Sequence, residues 1–192
     1  MAHLSVRDLA CRRGDRVLFS GVDFDLAGGQ WLHVRGANGV GKSTLLRTLA
    51  GLASPANGSV NWGQDEAPRT MMLGHQAPLK RELTAQENLF FGIPGDAPTS
   101  GVTAALTRVG LKGRMHVPAR FLSEGQKRRV ALARLLLQPA ALWLLDEPQN
   151  GLDTEGTELL GQLVEAHLAS GGMAVVTSHQ PLPLPPGKEL CL

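Results

Sequence analysis

The 192-residue sequence contains no tyrosine, only two cysteines and no long apolar run. Its eight aromatic rings, five phenylalanines and three tryptophans, do not gather beside the most basic stretch, Lys127 to Arg129. A nucleic-acid patch is therefore not indicated. Three successive basic positions on a helix point in different directions and are expected on a solvated or interface face. The formal charge of +2 calls for neither nucleic acid nor an anionic membrane surface. Cys11 and Cys191 lie near opposite ends without C-x-x-C spacing, which argues against a metal knuckle or redox pair and suits a reducing cytoplasm. C-x-x-C-H is absent too, so Cys11 and His75 are expected in core or loop packing rather than as haem ligands. No apolar stretch approaches the roughly 20 residues that span a bilayer, and the first residues lack an apolar signal core. A chain soluble by itself is the expectation.

What is present is an alternation of short strands and helices. Leu4 to Leu9 and Val22 to Leu26 partly alternate and read as antiparallel strands, with a turn at Gly28 and Gly29. WLHVR, 31–35, reads as a compact strand, followed by a glycine-rich loop and a helix stopped at Gly51. GSVNWG suggests another short strand and TMMLGHQ, 70–76, a buried one. From Pro78 to Phe121 leucine periodicity weakens, and Pro94, Pro98 and Pro118 break the chain into short helices. A basic helix then runs to about Gln138, since Pro139 disfavours helix in the residue before it. AALWLL, 140–145, reads as a fully apolar strand ending in Asp146 and Glu147, 154–170 as a helix, and GMAVVTSH as a last buried strand ending at His179. The closing PLPLPPG is short and extended. The pattern predicts one α/β domain over 1–192: a mainly parallel core sheet, an antiparallel β subdomain, and a helical subdomain inserted at about 77–138.

Three motifs carry chemistry. GANGVGKS, comprising Gly36, Ala37, Asn38, Gly39, Val40, Gly41, Lys42 and Ser43, lies between strand and helix and satisfies G-x-x-x-x-G-K-[ST]. Glycines let successive amides face phosphates, Lys42 reaches the β and γ groups, and Ser43, followed by Thr44, offers a hydroxyl to Mg²⁺. The strand ALWLL carries Asp146 to the sheet edge, where it can hold the metal through water. Glu147, one residue farther out, can orient or deprotonate an attacking water as general base. LSEGQ opens the basic helix: Ser123 and Gln126 have capping-box spacing, and the helix start is a seat for an anion.

With these three motifs in order, the sequence resembles the ATP-binding subunits of ABC transporters. In that family LSEGQ serves the opposite protomer, so the resemblance implies a homodimer in which Ser123, Gly125 and Gln126 close over ATP held by the partner's phosphate loop. Glu124 stands where the commonest family pattern has glycine, which ordinary helical φ at that position would accommodate. The resemblance further implies Gln76 as a residue contacting Mg²⁺ or water, Asp153 in NGLD as part of a loop crossing the dimer interface, and His179 as a histidine touching the γ-phosphate. The family usually stacks an aromatic on adenine where Arg13 stands; a guanidinium plane can serve instead.

GHQ at 74–76, LTAQENLFF at 83–91, KRRVALARLLL with ALWLLDEP, and SHQPL at 178–182 are together similar to the ATPase subunits of the haem exporters of cytochrome c biogenesis. That implies a peripheral subunit on the cytoplasmic face of the bacterial inner membrane, an integral membrane partner, and indirect haem contact if any. Phe90 or Phe91 could dock that partner or be buried in the helical subdomain. Leu132, Leu135, Leu136 and Leu137 are expected in the core. Other small ABC exporters, a soluble ABC ATPase of DNA repair or translation, and a nucleotide-gated binding module are the competing functions.

Overall fold

A computed structural model describes residues 3–63, 68–92 and 98–192. Pro94, among the expected breakers, lies outside them. The described residues form two sheets. Strands β1 (His3–Arg13), β2 (Arg16–Ala27) and β4 (Asn57–Asn61) make an antiparallel sheet in the order β2-β1-β4. Strands β3 (Trp31–Arg35), β5 (Thr70–Leu73), β6 (Leu142–Asp146), β7 (Met173–Thr177) and β8 (Lys188–Cys191) make a parallel sheet ordered β5-β6-β7-β3-β8. Both strand pairings expected from the alternating and apolar runs are present.

The central strands explain the continuous apolar runs. β6 and β7 are buried at every residue because both faces of the parallel sheet are covered. Helix α1 (Lys42–Leu49) packs on one face, where Leu45 and Leu46 are fully buried among Leu32, Val34, Leu142 and Val175. Helices α4 (Glu124–Leu137) and α5 (Thr154–Ala169) cover the other, with Leu132 and Val164 beside Trp143 and Val176. Short helices α2 (Ala85–Phe90) and α3 (Thr99–Arg108) join α4 in the region expected to be helical. Thr84 and Glu87 form a capping box at the start of α2.

Several expectations need correction. TMMLGHQ is a strand only as far as Leu73, and Met71 and Met72 are half-buried because β5 is the sheet edge. β7 stops at Thr177, so His179 sits two residues past the strand. The proline segment does not close the structure: it folds back beside Trp31, whose Nε1 donates to the Pro185 carbonyl at 2.9 Å, and leads into β8, which pairs parallel with β3. Leu136 is 40% exposed, unlike Leu132 and Leu135. Arg128 and Arg129 are buried at 3% and 9% exposure, not solvated. Their burial follows from helix geometry, since α4 lies under the loop joining β6 to α5: Arg128 is turned toward that loop's carbonyls, and Arg129 toward the Asp153 carboxylate and the Val109 carbonyl.

His167 gives the fold a pH dependence. Its ring stacks on Trp143 at 4.0 Å between centroids, and Nε2 donates to the Met173 carbonyl at 3.0 Å. Burial holds the imidazole below its ordinary value of 6.5, partly opposed by that hydrogen bond. The unfolded chain therefore takes up this proton more readily than the folded one. Stability is unaffected well above pH 6.5 and falls as pH drops through it. Wild type is expected to lose melting temperature between about pH 7 and pH 5 more steeply than His167→Phe, as read by thermal unfolding.

Candidate nucleotide site

The loop between β3 and α1 is built by its glycines. Gly36, Gly39 and Gly41 have φ of 146°, 79° and 122°, and a Cβ on Gly41 would lie 2.8 Å from the buried Phe19 ring. α1 has no side-chain cap, so its first amides are left to face the cavity beyond the loop. Lys42, 8% exposed, folds back to donate to the carbonyls of Gly36 at 2.7 Å and Ala37 at 3.3 Å and to His179 Nε2 at 3.1 Å. Asn38 Oδ1 lies 2.9 Å from the same ring nitrogen.

Two strand ends complete the cavity. Asp146 is held between Thr177 Oγ1, which donates to Oδ1 at 2.8 Å, and Ser43 Oγ, which donates to Oδ2 at 2.6 Å. The exposed Ser43 hydroxyl and the buried Asp146 carboxylate, this close together, suit Mg²⁺, a hard cation that takes few protein ligands and completes its shell with water and phosphate oxygens. Among the described residues no group of three His, Cys, Asp or Glu side chains is placed to hold a metal ion by itself.

Glu147 has a left-handed backbone, φ 46°. That conformation costs a non-glycine residue roughly 1–2 kcal/mol and is held here from outside. Its amide donates to the Thr177 carbonyl at 3.1 Å and to Thr177 Oγ1 at 2.9 Å. The turn aims a carboxylate that is 8% exposed into the cavity. Oε1 lies 3.4 Å from His179 Nε2 but without hydrogen-bond alignment, so this buried oxygen has no hydrogen-bond partner among the described residues. An unpaired carboxylate oxygen is suited to accept a proton from water.

A cavity of about 360 Å³ thus gathers Asn38, Gly39, Gly41, Lys42, Ser43 and Thr44 of the loop with Asp146, Glu147 and His179. Arg13 and Leu18 also line this cavity. Gln76 is not brought to it. β5 ends at Leu73, and His75 takes the cavity wall while the exposed Gln76 lines an adjoining cleft of about 660 Å³ that shares His75 and Asn150.

LSEGQ stands apart from the phosphate loop. Ser123 and Gln126 form the expected capping box, the Ser123 side chain accepting from the Gln126 amide and Gln126 Oε1 from the Ser123 amide. Glu124 is the first residue of α4, outside the positive-φ region, and pairs with Lys127 at 2.6 Å. Gly125 is required by contact: a Cβ there would lie 2.7 Å from the Gly151 carbonyl. Ser123, Gly125, Gln126 and Asp153 line a separate cavity of about 710 Å³. Asp153 caps α5 through the Gly156 amide and pairs with Arg129 at 2.8 Å; these two contacts hold its carboxyl below the usual carboxylate range.

Residue patterns had not marked Thr177, Gln149 or Arg128. Gln149 Nε2 donates to Ser178 Oγ at 2.7 Å, and Ser178 Oγ donates to the Gln180 carbonyl at 2.6 Å, fixing the chain on both sides of His179. The apolar strand leading to Thr177 was a signal for that residue; nothing in the local sequence marks the other two.

A glycine-rich loop before α1, a carboxylate pair at the end of β6 and an LSEGQ helix start lining a separate cavity point to an ATPase of the ATP-binding cassette class. The family described as ABC transporter matches residues 19–150. The chain is 48% identical over 188 residues to the cytochrome c biogenesis ATP-binding export protein CcmA 2 of Salmonella paratyphi A, covering 94% of this chain and 91% of that one. It is 49% identical over 192 residues to the CcmA protein of Methylococcus capsulatus, covering 94% and 93%. In fold it matches an ABC transporter ATP-binding protein from Pyrococcus furiosus with a TM-score of 0.84 at 22% identity, over 99% of this chain and 97% of that one. The ATP-binding cassette MJ0796, a dimer in a post-hydrolysis state with ADP and Pi, matches with a TM-score of 0.79 at 24% identity, over 92% and 88%. The chain belongs to the ABC transporter family, among its cytochrome c biogenesis ATP-binding export proteins.

Proposed function

We propose that this chain is the ATP-hydrolysing subunit of a membrane complex in cytochrome c biogenesis, driving export of haem or its release from a carrier. Identity of 48% to a CcmA protein along 94% of the chain carries the reading. Residues 1–192 make one ABC ATP-binding domain, its helical subdomain at about 77–138 facing the membrane partner. Phe90 and Phe91, 41% and 65% exposed and edge to face at 5.5 Å, support docking of an integral membrane subunit near Gln76. The chain's place is that of a peripheral subunit at the cytoplasmic face of the inner membrane; among the described residues no helix is long and apolar enough to cross a membrane.

In this reading Arg13 stacks on the adenine, and the loop amides with Lys42 bind the phosphates. Ser43 and Asp146, with Gln76 reaching in from the adjoining cleft, would hold Mg²⁺, which would supply charge neutralisation at the phosphates. Glu147 takes a proton from the attacking water through its unpaired oxygen. His179, released from Lys42, turns to the γ-phosphate. A second copy supplies Ser123, Gly125, Gln126 and Asp153. Their cavity is distinct from the phosphate cavity within one chain, which supports a site completed across a homodimer.

The test is covalently attached haem in periplasmic cytochromes, compared between cells carrying the wild-type chain and cells carrying Lys42→Ala at equal abundance. Loss of attached haem in the variant is the expected result. Unchanged attachment would leave the ATPase standing and overturn the cytochrome role.

A further inference from the structure

Arg128 leaves the second turn of α4 and enters the core as a cation. Its five N–H groups meet five backbone carbonyls. Nε donates to Pro148 at 2.9 Å; Nη1 donates to Gly74 at 2.7 Å and His75 at 3.3 Å; Nη2 donates to Asp146 at 3.0 Å and Glu147 at 2.8 Å. A lysine has three donors on one atom and cannot cover carbonyls spread in this plane. Burial pulls the Arg128 pKa down and the Asp146 and Glu147 carboxylates oppose that, but an arginine stays protonated in either case.

The partners of this guanidinium belong to two loops that enter the catalytic account. Glu147 is pinned on its amide side by Thr177 and on its carbonyl side by Arg128. Its Oε1 makes no hydrogen bond among the described residues, so the backbone, in a left-handed turn, decides where the carboxylate points. Gly74 and His75 lead into Gln76, and α4 itself begins at the Ser123 cap.

We propose that Arg128 is a positioning residue for hydrolysis: it holds the left-handed turn that aims Glu147 and ties that turn to the 74–76 loop and to the helix that begins at Ser123. A shift of α4 when a second copy's nucleotide seats on Ser123 is thereby transmitted to the base and to the loop facing the membrane partner. The inference rests on Glu147 being the general base.

The experiment uses the full chain assembled with its membrane partner and reads ATP turnover and equilibrium ATP binding. Glu147→Gln alone tests the base assignment: unimpaired turnover in that arm overturns it, and the positioning role with it. Given a loss there, Arg128→Met is expected to lower kcat by roughly 10²-fold, the cost of a misplaced catalytic group, with ATP affinity unchanged. Added to Glu147→Gln, it should cause no further loss, because both changes remove one function. Arg128→Lys, which keeps the charge but reaches fewer carbonyls, should fall between wild type and Arg128→Met, and it carries the same comparison if Arg128→Met does not assemble. Wild-type kcat in the variant that assembles would overturn the proposal. So would a loss of equal size with and without Glu147→Gln, the mark of a structural role alone.

Discussion

Glu147→Gln is expected to slow ATP turnover by about 10²- to 10⁴-fold, the range for removing a well-placed general base. It is expected at the same time to leave nucleotide binding intact and to accumulate an ATP-bound dimer. The substitution is close to isosteric, and the contacts that hold position 147 are made by its backbone, through Thr177 and Arg128. Glutamine in a left-handed backbone is no worse placed than glutamate, because the steric cost there comes from Cβ. The phosphate loop, Ser43, Asp146 and the Ser123 helix start are untouched. Chemistry stops while every binding element remains, so the ATP that would have released the two copies persists between them. Mass measurement in Mg-ATP should find the dimer; only monomer would contradict a site shared between chains.

Lys42→Ala is expected to lower kcat/KM for ATP by about 10²- to 10³-fold, comparable to loss of a preorganised donor at a developing charge. Lys42, proposed as the cation of the phosphate cradle, is 8% exposed, and its donors already converge on the loop carbonyls and His179. Its charge-assisted bonds to phosphate cannot be replaced by water once the site closes. The fold should survive, since α1 is anchored by Leu45 and Leu46, both fully buried, and not by the lysine. Steady-state turnover beside a thermal unfolding curve checks both statements. Wild-type turnover in the variant would contradict the placement of the phosphates.

What was legible in the residues was contiguous chemistry. GANGVGKS, LSEGQ and the apolar run into Asp146 and Glu147 each state their element and its end within a few positions, because glycine conformations, helix caps and buried strands are local requirements. Relations between distant segments were not legible. Arg128 looks like one of three solvated cations until α4 is laid under carbonyls 18 to 54 positions away. Nor does KELC, with polar Lys188 and Glu189 flanking its apolar end, read as a sheet strand; its place follows from an open edge on β3. TMMLGHQ reads as one buried strand from its apolar start, yet the strand ends at Leu73, before Gly74, and Gln76 lies in a neighbouring cleft.

The central claim is that each nucleotide site is built from two copies of this chain, and one mixing experiment addresses it directly. Lys42→Ala disables the phosphate cradle. Ser123→Asp keeps a good helix cap while setting a negative charge against incoming phosphate, and so disables the Ser123 helix start. Each variant alone should be inactive in ATP turnover. In a mixed dimer one site combines the two damaged halves and the other the two intact halves. Turnover that returns when the two variants are assembled together is the predicted result; a mixture as inactive as its components would contradict the account.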